Sequence, residues 1–164
     1  MKLIQLKTPL SWKDLQLNPK TKKQLKNVDL TQKNTNYLFT GPSGTGKTLA
    51  VTLLSKEIKN KVHYVKISLI LSKYIGETEK NIAQVFDTAE KQGWILFFDE
   101  ADALFGKRAN IRDAHSKYAN QETSYLLQRI EDFKGIVILS THLKKASLKP
   151  MKKKFKIIKF RKLT

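Results

Sequence analysis

The chain has 164 residues, room for one α/β domain and not for a second, and its 40% hydrophobic content is enough to bury a core. It has no cysteine, which excludes disulfides and thiolate metal sites, and His63, His115 and His142 lack metal-ligand spacing. The formal net charge is +18, from 32 basic and 14 acidic residues, and after Asp132 no acid interrupts the lysines that crowd the tail. Such a surface attracts nucleic acid or an acidic partner, yet the scarcity of arginine forks points to a lysine-biased composition rather than to phosphate reading. The N-terminus has no cleavable apolar leader and no later stretch reaches membrane-spanning length, so a soluble cytoplasmic protein with no membrane partner is expected.

Residues 1–36 are polar and lysine-rich, punctuated by Pro9 and Pro19, and read as an arm with a short helix over Pro19 to Asn27. From there the pattern becomes regular, and residues 37–164 read as the folded core. Tyr37 to Thr40 predicts a strand that runs into a glycine turn, followed by a helix whose buried face is Ala50, Leu53, Leu54 and Ile58. Val62 to Ile67 predicts a second strand. A helix over Thr78 to Lys91 carries Ile82, Val85, Phe86 and Ala89, with Thr78 as its candidate cap. Trp94 to Phe98 is a continuous apolar run, as in a parallel strand covered on both faces. Ala119, Leu126, Ile130 and Phe133 mark the next helix, Ile136 to Leu139 a fourth strand and Phe155 to Phe160 a weaker fifth. Strands alternating with helices in this way imply a three-layer α/β sandwich around a central, mainly parallel five-stranded sheet.

Two motifs carry chemistry. Gly41-Pro42-Ser43-Gly44-Thr45-Gly46-Lys47-Thr48, running into Leu49, satisfies the G-x-x-x-x-G-K-[ST] phosphate-loop pattern in full. Its glycines let backbone N–H groups turn inward around phosphates, and the following helix adds its positive dipole end. Lys47 then reaches the β and γ phosphates of ATP, while the Thr48 hydroxyl binds Mg²⁺. The second motif is Ile95-Leu96-Phe97-Phe98-Asp99-Glu100, which sets two carboxylates at the end of a buried strand. Asp99 suits the Mg²⁺ shell, and Glu100 suits general-base activation of water. Asp99-Glu100-Ala101-Asp102 also spells the DEAD-box helicase signature, but the chain is too short for that two-lobed architecture.

The phosphate loop, SKYIGETEKNI, ILFFDEADALFGKR, YANQETSYLLQRIEDF and GIVILSTHL follow the order and spacing of the AAA+ ATPases. They most resemble the large P-loop NTPase subdomain of bacterial members of the classical AAA clade, including those that accompany contractile injection systems. The resemblance implies a homo-oligomeric, hexameric ring that hydrolyses ATP at subunit interfaces and remodels a protein client. It places Tyr74 and Ile75 at the pore-loop positions that grip the client, and Leu104 to Ser116 where a second pore-facing loop would lie.

Three departures from the family pattern follow from the same resemblance. His142 stands at the position of the sensor asparagine, where neutral imidazole is expected to donate toward the γ-phosphate or the attacking water. Lys152, Lys153 and Lys154 stand near the arginines that act across the subunit interface, and lysine lacks the planar fork. The chain ends at Thr164, soon after the last expected strand, where the resemblance calls for a helical lid; its absence would weaken the ring. Two further readings stand beside the remodelling ATPase: a nucleotide-binding switch or inactive partner subunit with weak turnover, and a nucleic-acid-associated ATPase resembling a helicase loader.

Overall fold

The computed structural model describes residues 3–59, 62–70, 77–104, 114–143 and 155–163. Strands β1 (Ile4–Gln5), β2 (Thr35–Thr40), β3 (Val62–Lys66), β4 (Ile95–Asp99), β5 (Ile136–Thr141) and β6 (Lys156–Lys159) form one sheet in the order β1-β3-β4-β5-β2-β6. The helices are α1 (Pro19–Leu25), α2 (Lys47–Ile58), α3 (Ile67–Ile70), α4 (Glu77–Gln92) and α5 (Ala114–Asp132), with 3-10 turns at Trp12–Asp14 and Ala101–Leu104. All pairings are parallel except that of β1 with β3. The sheet therefore has six strands rather than the five expected. The extra one is a two-residue antiparallel edge with both side chains exposed, too short to show any periodicity.

Alternation along the central strands divides the core between the two faces of the sheet. Leu96 and Phe98 of β4, with Leu38, Val65, Val137 and Leu139, meet Ile82, Val85 and Phe86 of α4 and Leu126 and Ile130 of α5. Ile95 and Phe97, with Tyr37, Phe39, Ile136 and Ile138, pack on the opposite face against Ala50, Val51 and Leu54 of α2. Each face thus has its own cover, which explains why β4 is apolar without interruption. Thr78 is the second residue of α4 and fully buried, so it is not the helix cap expected from the sequence.

Residues 3–36 do not trail away from this sandwich. Leu25 and Leu30 are buried in the α2-side core, with Trp12, Leu15, Leu17 and Val28 packed against it. The Trp12 indole donates to Glu57 Oε1 at 2.6 Å, and Thr21 Oγ1 donates to the Lys159 carbonyl at 2.9 Å, tying the segment to α2 and to β6. Among the described residues no helix is long and apolar enough to cross a membrane.

Phe39 is fully buried in β2, with its ring 5.2 Å from that of Phe160 beyond β6. Phe39→Ala is expected to lower stability by about 3–5 kcal/mol. Urea denaturation checks this, and a loss below about 1 kcal/mol would show that the β2–β6 side of the core is not packed as described.

Candidate functional site

Because β2, β4 and β5 run parallel, their carboxyl ends emerge together, and that edge is where open α/β sheets bind ligands. β2 ends at Thr40 and opens the glycine loop. The Gly41 N–H donates to the Thr141 carbonyl at 3.1 Å, and the Phe160 N–H donates to the Thr40 carbonyl at 2.7 Å, so the first loop residue is held between β5 and the end of β6. A Cβ on Gly41 would lie 2.2 Å from the Phe160 carbonyl oxygen, which only glycine avoids. Gly46 precedes α2 with a φ of +95°, and a Cβ there would lie 2.5 Å from Leu15 Cδ1. The turn thus seats both on the sheet and on the N-terminal segment.

Lys47 and Thr48 open α2. The Lys47 ammonium donates to the carbonyls of Gly41 and Pro42 at 2.7 and 2.8 Å, which folds its side chain back over the loop. Thr45 Oγ1 closes the turn by donating to the Pro42 carbonyl at 2.7 Å.

The Asp99 carboxylate, at the tip of β4, receives donors from several elements. The Glu100 N–H donates to Oδ1 at 2.9 Å, and the Ser140 hydroxyl of β5 donates to the same oxygen. The Thr48 and Tyr64 hydroxyls approach Oδ2 at 3.4 and 3.5 Å. Burial raises the Tyr64 pKa, and the negative charges of Asp99 and Glu100 add to that effect, so the phenol stays a donor. Glu100 adopts a φ of +53°, a left-handed conformation that costs a non-glycine residue about 1–2 kcal/mol. Its N–H donates to Asp99, and beyond the kink the chain passes directly into the 3-10 turn carrying Asp102.

Asp102 is engaged in the same way by β5. Thr141 Oγ1 and the His142 N–H both donate to Oδ1, the latter at 3.0 Å, and His142 Nδ1 lies 3.0 Å from Oδ2. A groove of about 310 Å³ results, lined by Ser43, Gly44, Gly46, Lys47, Thr48, Leu49, Asp99, Glu100, Ser140, Thr141 and His142. Gly41, Pro42 and Thr45 shape the loop without lining the groove. Tyr74, Ile75, Lys152, Lys153 and Lys154 lie outside the described residues. Ser140, Thr141, Asp102 and Tyr64 join the site without having been singled out. The polar pair Ser140-Thr141 closing an apolar strand was the available signal.

Thr48, Asp99 and Ser140 give the groove a set of hard oxygens, and among the described residues no cluster of three or more His, Cys, Asp or Glu could cage a metal. That donor set fits Mg²⁺, which keeps its waters and takes only one or two protein ligands beside substrate phosphates. A glycine turn joining a strand to a helix, one cation folded over it and a pinned acid on the strand two places away in the sheet define a P-loop NTPase domain.

Residues 37–162 match the family described as ATPase family associated with various cellular activities (AAA), and the chain belongs to that family. It is 38% identical over 110 residues to an uncharacterized AAA family ATPase of Sinorhizobium fredii, an alignment covering 65% of this chain and 32% of that protein. It is 35% identical over 107 residues to a cell division cycle protein 48 homolog of Archaeoglobus fulgidus, covering 63% of this chain and 14% of the relative. Cell division protein C of Sulfolobus acidocaldarius is 35% identical over 114 residues, covering 64% and 30%. The chain spans about a third or less of the length of these curated relatives.

Burial holds the Lys47 ammonium below its ordinary value of 10.5, against the opposing pull of Asp99 and Asp102. With the folded pKa under the unfolded one, the charged form costs stability throughout the neutral range, and the cost disappears as pH rises through the interval between the two values. In the nucleotide-free chain the native urea midpoint is therefore expected to rise relative to that of Lys47→Met as pH increases toward the ordinary lysine value. A difference between the two midpoints that does not change with pH would contradict this.

Proposed function

We propose that the chain binds Mg·ATP in the groove at the ends of β2, β4 and β5 and hydrolyses it, powering the remodelling of a protein client within a ring of like subunits. One observation carries the nucleotide part: Lys47 and Thr48, on the helix behind the glycine turn, share a groove with Asp99 and Glu100, some fifty residues further along the chain. Backbone N–H groups of Gly44 to Lys47 and the start of α2 offer an anion site, and the Lys47 side chain swings from its carbonyls to the β and γ phosphates. Thr48 and Asp99 would hold the metal and its water shell, and Mg²⁺ bound there would supply neutralisation of phosphate charge. Glu100, exposed beside the pinned Asp99, takes a proton from the attacking water.

The ring and the client rest on the AAA membership and on the motif order that places Tyr74 and Ile75 as gripping residues and Lys152 to Lys154 as cations acting on the next subunit. The same motif order supports placement among bacterial members of the classical clade, like those that accompany contractile injection systems. Lysine in place of arginine at 152–154 favours a second reading, a nucleotide switch with weak turnover, since a point charge replaces the fork that stabilises transition-state charge.

Phosphate release by the purified chain, alone and with an unfolded protein or single-stranded DNA, separates these readings. Glu100→Gln keeps the shape of the site and is expected to retain nucleotide while turnover falls about 10²–10⁴-fold. Turnover that survives the substitution removes Glu100 from the mechanism. Stimulation by DNA and not by the unfolded protein would favour a nucleic-acid-associated ATPase, and background release in every mixture would favour the switch.

A further inference from the structure

His142 follows β5 at the rim of the groove, is one of the residues that line it, and has its side chain 56% exposed. One face of its environment is fully specified. The Leu143 N–H donates to Thr141 Oγ1 at 3.1 Å, so that hydroxyl sends its own proton to Asp102 Oδ1. The His142 N–H occupies Oδ1 as well, at 3.0 Å. Oδ2 then faces His142 Nδ1 at 3.0 Å, and an ionised carboxylate only accepts. The ring proton therefore belongs on Nδ1, which leaves Nε2 as the ring's remaining polar atom, on a residue that lines the groove.

We infer that Asp102 is a positioning residue that fixes the orientation and tautomer of His142, so that the neutral imidazole presents Nε2 to the nucleotide groove as a hydrogen-bond acceptor. The inference rests on the nucleotide reading for its consequence in turnover, though not for the tautomer itself. It reverses the donor role expected from the sequence: with Nδ1–H committed to Asp102, the neutral ring can accept from the attacking water beside Glu100, and only the imidazolium can donate to a phosphate oxygen. An amide at this position, with one oxygen and one NH₂ group, supplies both functions in any protonation state, so histidine is not its equivalent here.

The test begins with nitrogen-15 NMR of the nucleotide-free chain at a pH where the ring is neutral, with His142→Asn assigning the resonance. A free histidine side chain favours the Nε2–H tautomer, so a dominant Nδ1–H form in the native chain is the expected result, and a dominant Nε2–H form overturns the inference. In Asp102→Asn the amide keeps its oxygen on the His142 N–H and turns its NH₂ toward Nδ1, which is expected to shift the ring to Nε2–H; an unchanged tautomer overturns the assignment to Asp102. In steady-state turnover, Asp102→Asn is expected to lower kcat about tenfold with KM within about twofold, the worth of one neutral hydrogen bond. The same substitution is expected to cost nothing further in a His142→Ala background, and an undiminished loss there would show that Asp102 acts on the fold rather than through the ring. An Nδ1–H ring in a chain without turnover would count against the proposed hydrolysis and leave the dyad standing.

Discussion

The arrangement depends on β5 lying between β2 and β4 in a parallel sheet, which places three strand ends side by side although they are far apart in sequence. With β2 on one side, Thr40 pairs with Thr141, and the glycine loop starts level with the end of β5. With β4 on the other, Phe98 pairs with Leu139, so the next residues, Asp99 and Ser140, stand beside each other and share a hydrogen bond. Asp99 is a carboxylate at the rim of a dry sheet, and its position is tolerable because donors from Glu100, β5, β3 and α2 surround it.

Several local features follow from that order. Gly41 is forced by the close approach of the Phe160 carbonyl, which itself depends on β6 adding to β2. Gly46 is required by its φ of +95°, and Leu15 lies against it, so the segment before β2 borders the turn as well as the core on the α2 side. The left-handed backbone at Glu100 ends β4 at once and redirects the chain into the 3-10 turn, where Asp102 meets the end of β5. The two acids that flank this kink thus both engage the end of β5, Asp99 through Ser140 and Asp102 through Thr141 and His142.

What the sequence made legible was local. The phosphate loop reads from eight consecutive residues, and the Asp99-Glu100 pair reads from five apolar residues followed by two acids, each pattern needing no knowledge of which strands are neighbours. Tyr64, Asp102, Ser140 and Thr141 enter the site only through strand order and register, which periodicity does not encode. The Ile4–Gln5 strand was hidden by its length, and the burial of Leu25 and Leu30 by irregular spacing across turns, where neither a period of two nor one of 3.6 applies. The role of His142 needed a partner before its chemistry could be assigned, because the two ring nitrogens become distinct only when one of them is occupied.

Isothermal titration of a non-hydrolysable ATP analogue, with and without magnesium, into the native chain and into Asp99→Asn tests most directly that the loop and the strand-end acid form one site. Magnesium is expected to tighten binding to the native chain, and Asp99→Asn is expected to retain metal-free binding while losing about tenfold or more of the magnesium-dependent gain. An Asp99→Asn chain that keeps the whole of that gain, or a native chain that takes up no nucleotide with magnesium present, would contradict it.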